Sequence, residues 1–285
     1  MSKTRVIILI VSIFLASTVS SKEAQKENDL SFSNIGPRPF EYNVKDDFLD
    51  SLKWAYQGSY KQFQGTQNLV FAGLAVLSSA YFIYNDERIS KKSVEKETNE
   101  KFFSTISDSS IFFNTPIMPF FFYYLGVSRQ DSHMVQFSKE YFSALALALI
   151  ESAAISAVPV HQRPDQKELS FWEKAFRGQS SFPSGHVVGY SILGFKSFQF
   201  YGPHYAILPL GLAVATAFER VHTEKHYMSD VVASGFLSFL ASEGVWYAAG
   251  YEKNHPVYKW IFDHDFSINY IRQNDVPGVQ ISFSY

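Results

Sequence analysis

The sequence has 285 residues, no cysteine and a formal net charge of −2, and 46% of its side chains are hydrophobic. This length suits one large domain, or one domain with a small appendage. The lack of cysteine excludes disulfide scaffolds, cysteine nucleophiles and thiolate metal sites. The near-neutral charge and the absence of a basic tail give no indication of nucleic-acid binding.

The chain begins with a segment typical of a secretory signal peptide. Lys3 and Arg5 form a positive n-region, and residues 6–16 form an apolar run of h-region length. Small residues at 17–21 then offer a cleavage site. We therefore predict a signal peptide over residues 1–21, with an uncleaved membrane anchor as the alternative. Export would place the protein in the periplasm or at a membrane of the cell envelope.

A polar segment over residues 22–65, predicted to be a loop or a surface helix, precedes six apolar stretches. Several of these stretches exceed strand length and are rich in Ala, Leu and Phe, so we predict helices. They cover residues 67–84, 111–127, 140–158, 187–200, 205–218 and 230–249. The link over residues 85–110 is charged and is predicted to be a solvated helical hairpin tip. The predicted fold is an all-α, up-and-down bundle of about six core helices, in a domain over residues 66–250.

The tail over residues 251–285 has a different pattern. Residues 267–270 and 279–285 alternate apolar and polar side chains with period two. A turn signal, Asn-Asp-Val-Pro-Gly over residues 274–278, lies between them. We predict a short C-terminal β-hairpin that caps the bundle or rests against another surface.

The six stretches fit membrane spans poorly. A span needs about 20 apolar residues, and the fourth and fifth stretches are shorter. Glu151, Lys196 and Glu243 lie within or at the edges of the stretches, where charge is expensive to bury in lipid. If all six spanned the membrane after an exported start, the Arg163 region would face the cytoplasm. We therefore favour an exported bundle that is soluble or rests on a membrane, with an integral membrane bundle as the alternative.

The strongest local signal is the sequence Ser-Phe-Pro-Ser-Gly-His over residues 181–186, directly before a predicted helix. Pro183 and Ser184 suit a helix start, and Gly185 allows close backbone approach. The amide N–H groups at such a helix start form an anion site. His186 would stand beside a bound phosphate and exchange a proton near neutral pH. The alternative is an ordinary capped helix with a surface histidine.

A second signal is Arg220, followed after five residues by His226 and after three more by Asp230. His226 and Asp230 share one face of a helix, so the carboxylate can fix the imidazole tautomer and direct its other nitrogen outward as a nucleophile. Arg220 supplies a planar cation suited to phosphate oxygens. The alternative is a surface His–Asp contact.

A third and weaker signal, Arg163-Pro164, follows the third stretch, and the helix order brings all three signals together. The third stretch ends near Arg163 and the fourth begins at His186. The fifth ends at Arg220, and the sixth begins near His226 and Asp230. In an up-and-down bundle these are the same end, so we predict a phosphate pocket that contains a nucleophile and an acid.

These motifs resemble those of the type 2 phosphatidic acid phosphatase superfamily, which includes lipid phosphatases, bacterial non-specific acid phosphatases and vanadium haloperoxidases. The resemblance covers about residues 140–249. It implies a metal-independent enzyme in which His226 attacks phosphorus, Asp230 orients His226, and His186 protonates the leaving alkoxide. The residues that it implies as ligands of the phosphoryl oxygens are Arg163, Arg220, Ser184 and the Gly185 amide.

Two positions depart from the family pattern. Ser156 occupies the position of a family lysine, and the cations that could replace it in the next loop are Lys167, Lys174 and Arg177. Glu219 stands where the family has serine, directly before Arg220. It either turns outward or pairs with Arg220 and weakens phosphate binding, so we expect both departures to lower catalytic efficiency.

The leading hypothesis is a phosphatase with no cofactor, acting on a lipid phosphate, a diphosphate or a small soluble ester. A vanadate-dependent haloperoxidase is an alternative, because the same pocket would hold vanadate, although the missing lysine disfavours it. A third hypothesis is a catalytically degraded binding protein of the cell envelope. The sequence gives no prediction of the oligomeric state or of the substrate.

Overall fold

The computed structural model describes residues 42–94, 99–158, 160, 162–165, 180–262, 266–273 and 276–283. The predicted signal peptide lies outside the described residues, as do the candidate replacement cations Lys167, Lys174 and Arg177.

The described chain is predominantly helical, which confirms the predicted all-α class. The helices are α1 (Val44–Lys61), α2 (Thr66–Val94), α3 (Glu100–Phe113), α4 (Ile117–Ser128), α5 (Ser132–Ser156), α6 (Gly185–Tyr201), α7 (Pro203–His222), α8 (Met228–Ala249) and α9 (Pro256–Phe262).

Helix α1 lies within the segment predicted to be polar loop or surface helix, and it is part of the bundle. Asn43 caps its N-terminus by accepting hydrogen bonds from the amides of the first turn. Gly58 is buried where a Cβ atom would lie about 3 Å from Leu147 of α5 and Val245 of α8. The absence of a side chain at Gly58 therefore lets α1 pack closely across both helices.

The link over residues 85–110 is helical in its described part. Helix α2 continues to Val94, and α3 begins at Glu100 with Asn99 as its cap. Most described side chains of the link are exposed or half-buried, whereas Ser107 and Ser110 of α3 are fully buried. The predicted solvated surface therefore holds for most of the link, while the small serine side chains let one face of α3 pack into the bundle.

The centre of the bundle is formed mainly by α5, α6 and α8. Tyr141, Ala144, Ile192 and Val245 belong to one buried apolar cluster that joins these three helices. Helices α5 and α6 run antiparallel, since Phe137 of α5 packs on Phe200 of α6, and further along α5 Glu140 accepts a hydrogen bond from Lys196, which lies earlier in α6. This arrangement places the end of α5 beside the start of α6.

Among the residues that the structure describes, two helices, α2 and α8, are long and apolar enough to cross a membrane. Helices α3 and α4 meet at a bend of 64° and would form a third candidate if they counted as one span. Helix α2 leaves large apolar side chains such as Leu77 and Tyr84 exposed. Helix α8, in contrast, is mostly buried within the bundle. These features are consistent with membrane association.

The tail contains the predicted hairpin. Strand β1 (Phe266–Gln273) pairs in antiparallel register with β2 (Val276–Phe283), from Phe266 opposite Phe283 to Gln273 opposite Val276.

Candidate active site

Backbone hydrogen bonds bring the three sequence motifs together at the ends of neighbouring elements. The Ser184 amide donates to the Asp230 carbonyl at 3.1 Å, and the His226 amide donates to the Arg220 carbonyl at 3.0 Å. The Asp165 amide, two residues after Arg163, donates to the carbonyl of Glu224 in the turn between α7 and α8. The segment around Arg163, the start of α6 and the α7–α8 turn therefore form one connected site.

His226 and Asp230 form a buried dyad at the start of α8. His226 Nδ1 lies 3.1 Å from Asp230 Oδ2, and the Tyr227 amide donates to the same oxygen at 2.9 Å. Both dyad side chains are almost completely buried. The carboxylate is favoured in the first turn of a helix, where the helix dipole is positive. With Nδ1 held by Asp230, Nε2 is the imidazole atom that can attack an electrophile.

A second carboxylate anchors the first turn of α8 from outside. Asp86, near the end of α2, accepts a hydrogen bond from the Ser229 amide at 3.1 Å and another from Ser229 Oγ at 2.6 Å. Both residues are buried. Sequence reasoning missed this contact because Asp86 lies 143 positions before Ser229.

The start of α6 supplies a hydroxyl and a second imidazole. Ser184 occupies the cap position but makes no side-chain capping hydrogen bond. Its Oγ is buried and makes no hydrogen bond to any described residue. The ring centroids of His186 and His226 are 6.2 Å apart, so the two imidazoles flank one space. Asn114 fixes this turn by donating to the Gly185 carbonyl at 2.9 Å.

Arg163 and Arg220 provide the positive charge of the site. The Nε atom of Arg163 is buried and makes no hydrogen bond within the described part of the chain. Arg163 lies close enough for its charge to act on Arg220. Arg220 is in the last turn of α7, where a cation is favoured by the helix dipole. Two positive charges that act on each other in one site repel, so their placement favours a bound anion.

The guanidinium group of Arg220 is held by side chains from two elements. Its Nε donates to Ser107 Oγ at 2.6 Å, and Nη2 contacts Asp108 Oδ1 at 3.3 Å. Nε also forms an ion pair with Glu219 Oε2 at 3.0 Å. Burial lowers the pKa of Arg220, and the charges of Glu219 and Asp108 oppose that shift. Ser107 and Asp108 come from the link that the sequence pattern did not connect to the site.

Glu219 pairs with Arg220, which is one of the two arrangements that the sequence left open. Its other oxygen, Oε1, forms an ion pair with Lys225 Nζ at 3.1 Å and accepts a hydrogen bond from Thr223 Oγ1 at 3.3 Å. The carboxylate is buried between the two cations. The negative charge that Glu219 adds to the site is therefore balanced by two cations, Arg220 and Lys225.

Ser156 provides no positive charge and is occupied within its own helix. It is buried near the end of α5, and its Oγ donates to the Ala153 carbonyl at 2.8 Å. Among the described residues, no group of three or more His, Cys, Asp or Glu side chains is arranged to hold a metal ion.

Comparison with known proteins identifies one family. The model of the PAP2 superfamily matches residues 156–254, which contain every candidate site residue named from the sequence. No curated protein and no solved structure matches the chain. The match agrees with the resemblance drawn from the motifs.

Proposed function

We propose that the protein is a phosphatase that works through a phosphohistidine on His226, because residues 156–254 match the model of the PAP2 superfamily, whose members are generally phosphatases. Its substrates are phosphate monoesters or diphosphates. The observation that carries this proposal is the buried contact between His226 Nδ1 and Asp230, beside His186 and two arginines.

The first chemical step forms the phosphoenzyme. His226 Nε2 attacks phosphorus, the bond from phosphorus to the leaving oxygen breaks, and His186 donates a proton to that oxygen. Asp230 keeps the proton on Nδ1 and stabilises the positive charge that develops on the ring. The second step reverses these roles: His186 takes a proton from water, the water oxygen attacks phosphorus, and the bond to His226 Nε2 breaks.

The phosphoryl oxygens are stabilised by Arg163, Arg220, Ser184 and the Gly185 amide. The Ser184 hydroxyl supports this role, because it is buried and makes no hydrogen bond to a described residue. Fixed donors of this kind stabilise charge that develops in the transition state without reorganisation. The arginines thus take the electrostatic role that metal ions play in other phosphatases.

We place the protein at a membrane of the cell envelope, as an exported protein. The apolar surface of α2 and the length of α8 support membrane association, and the N-terminal sequence supports export. At that location the substrate is a lipid phosphate or diphosphate presented by the bilayer, or a small soluble ester.

The test is phosphate release from lipid and soluble esters in the presence of a metal chelator. The wild-type protein should turn over and be inhibited by vanadate, whereas His226→Ala should lose activity by roughly a thousandfold or more. His222→Ala is the matched control, because His222 contacts the Ser93 carbonyl and stacks on Phe218. Full activity in His226→Ala, or an absolute need for a divalent ion, would reject the mechanism. Peroxide-dependent halogenation with vanadate, in place of phosphate release, would favour the haloperoxidase alternative.

A further inference from the structure

Asp108 is an exposed carboxylate that contacts the buried arginine of the site. Its side chain is 70% exposed, whereas that of Arg220 is 7% exposed, and Asp108 Oδ1 lies 3.3 Å from Arg220 Nη2. Asp108 belongs to α3, which lies outside the matched region 156–254. Arg163, Arg220, Ser184 and the Gly185 amide, the proposed ligands of the phosphoryl oxygens, are called the phosphate cradle below. The contact adds a negative charge to this cradle from a part of the chain that the motifs do not include.

The other contacts of Arg220 decide which of its atoms can bind a phosphoryl group. Ser107 and Glu219 both lie at Nε, so that atom is occupied by the protein. A phosphoryl group held by two hydrogen bonds must then use the terminal nitrogens, one of which is Nη2. Asp108 already lies on Nη2. Either Asp108 moves away when the phosphoryl group binds, or the phosphoryl group shares the guanidinium group with Asp108 in addition to Glu219.

We propose that Asp108 competes with the phosphoryl group for Arg220 and thereby limits the affinity of the site for phosphate. The inference rests on the proposed phosphatase function. Both arrangements of Asp108 reduce affinity, the first because an ion pair is lost and the second because like charges are in contact.

The competition affects inorganic phosphate as well as the substrate. Inorganic phosphate carries the same phosphoryl oxygens and would otherwise remain bound between Arg163 and Arg220. By weakening this complex, Asp108 favours release of the product. Because Asp108 is exposed, salt screens its effect, and the effect should decrease as ionic strength rises.

The test compares Asp108→Asn with wild type in competition assays with inorganic phosphate and vanadate. Asparagine keeps the shape of the side chain and removes the charge. We expect the inhibition constant of each anion to fall about two- to fivefold at low salt, and this gain to decrease at high salt. Asp108→Ala should change the constants in the same direction, which excludes an effect of the new amide group.

One further variant and a stability measurement separate the competition from a structural effect. Glu100→Gln removes an exposed carboxylate from the same helix, away from Arg220, and should leave the inhibition constants unchanged. Melting temperatures of all variants confirm that they fold. If Asp108→Asn binds phosphate as weakly as wild type or more weakly, in a protein that turns over, the inference is overturned while the phosphatase function stands. If wild type neither turns over nor binds phosphate, the proposed function fails and this inference fails with it.

Discussion

The His226–Asp230 dyad and the Arg220 side chain lie at adjoining helix ends, but they are held in place by different kinds of contact. The dyad is held within one stretch of chain, because Asp230 is four residues from His226 and its carboxylate also accepts the Tyr227 amide. Arg220, in contrast, depends on Ser107 and Asp108, which precede it by 113 and 112 positions. The hydrogen bonds that orient the His226 imidazole are therefore local, whereas the contacts that orient Arg220 include two from a distant helix.

This difference predicts different kinetic effects for the two regions. A change in the dyad should act on the chemical step and leave anion binding in place. A change in the contacts of Arg220 should act on the affinity for phosphate, with a smaller effect on the chemical step. The following variants test this separation.

The largest effect is expected for Asp230→Asn. The amide cannot stabilise the imidazolium or hold the required tautomer, so kcat should fall by about a thousandfold. The inhibition constant of inorganic phosphate should change little, since it binds Arg163, Arg220 and Ser184 without a bond to His226. Steady-state kinetics with phosphate competition measures both quantities. An equal loss of phosphate binding and of kcat would show that the two regions are not separable.

The second-largest effect, a loss of stability, is expected for Glu219→Ala. This change removes the buried carboxylate that pairs with both Arg220 and Lys225. Arg220 then keeps only Ser107 and the exposed Asp108 as side-chain contacts, so its buried charge is less well balanced and the free energy of unfolding should fall by about 2 kcal/mol. Thermal or denaturant unfolding measures the change. Glu252→Ala, at an exposed position, is the control. A loss of stability no larger than that of the control would contradict a structural role for the Glu219 pair.

A smaller effect is expected for Ser107→Ala, which removes the hydrogen bond to Arg220 Nε. The guanidinium group loses a fixed orientation, so KM should rise about tenfold while kcat changes less. Ser110→Ala is a matched control, because Ser110 is equally buried on α3 and its Oγ donates within its own helix. If both variants raise KM equally, the effect belongs to helix packing and not to Arg220.

The smallest effect is expected at Glu151, outside both regions. Burial raises the pKa of Glu151 to about 7, and the hydrogen bond from Gln62 partly opposes this. The folded state therefore binds a proton more tightly than the unfolded state, and its stability falls as pH rises through about 7. Glu151→Gln should raise the melting temperature by about 2–4 °C at pH 8, with little change at pH 5 and none in kcat. A gain at pH 5 as large as that at pH 8 would contradict this assignment.

The contrast between local and long-range contacts also explains which features could be predicted from the sequence. The bundle class and the helix ends that carry His186, Arg220 and Asp230 follow from apolar periodicity and short motif spacings, which are local properties. The buried serines of α3 could not be recognised in this way, because Ser107 beside Asp108 resembles a solvated helix surface. The contact of Asp86 with Ser229 likewise depends on how α2 packs on α8. Asp86 lies in a charged run with Glu87 and Arg88, so no local signal in the sequence distinguishes it from a solvated residue.

The central claim is that His226 carries the phosphoryl group, and trapping the phosphoenzyme tests it most directly. A substrate with a labelled phosphate is mixed with the protein, the reaction is quenched with denaturant at alkaline pH, and the labelled peptide is identified. The account predicts label on His226 in the wild type and in His222→Ala, and no label in His226→Ala. Turnover with no covalent label, or label on another residue, would contradict the account.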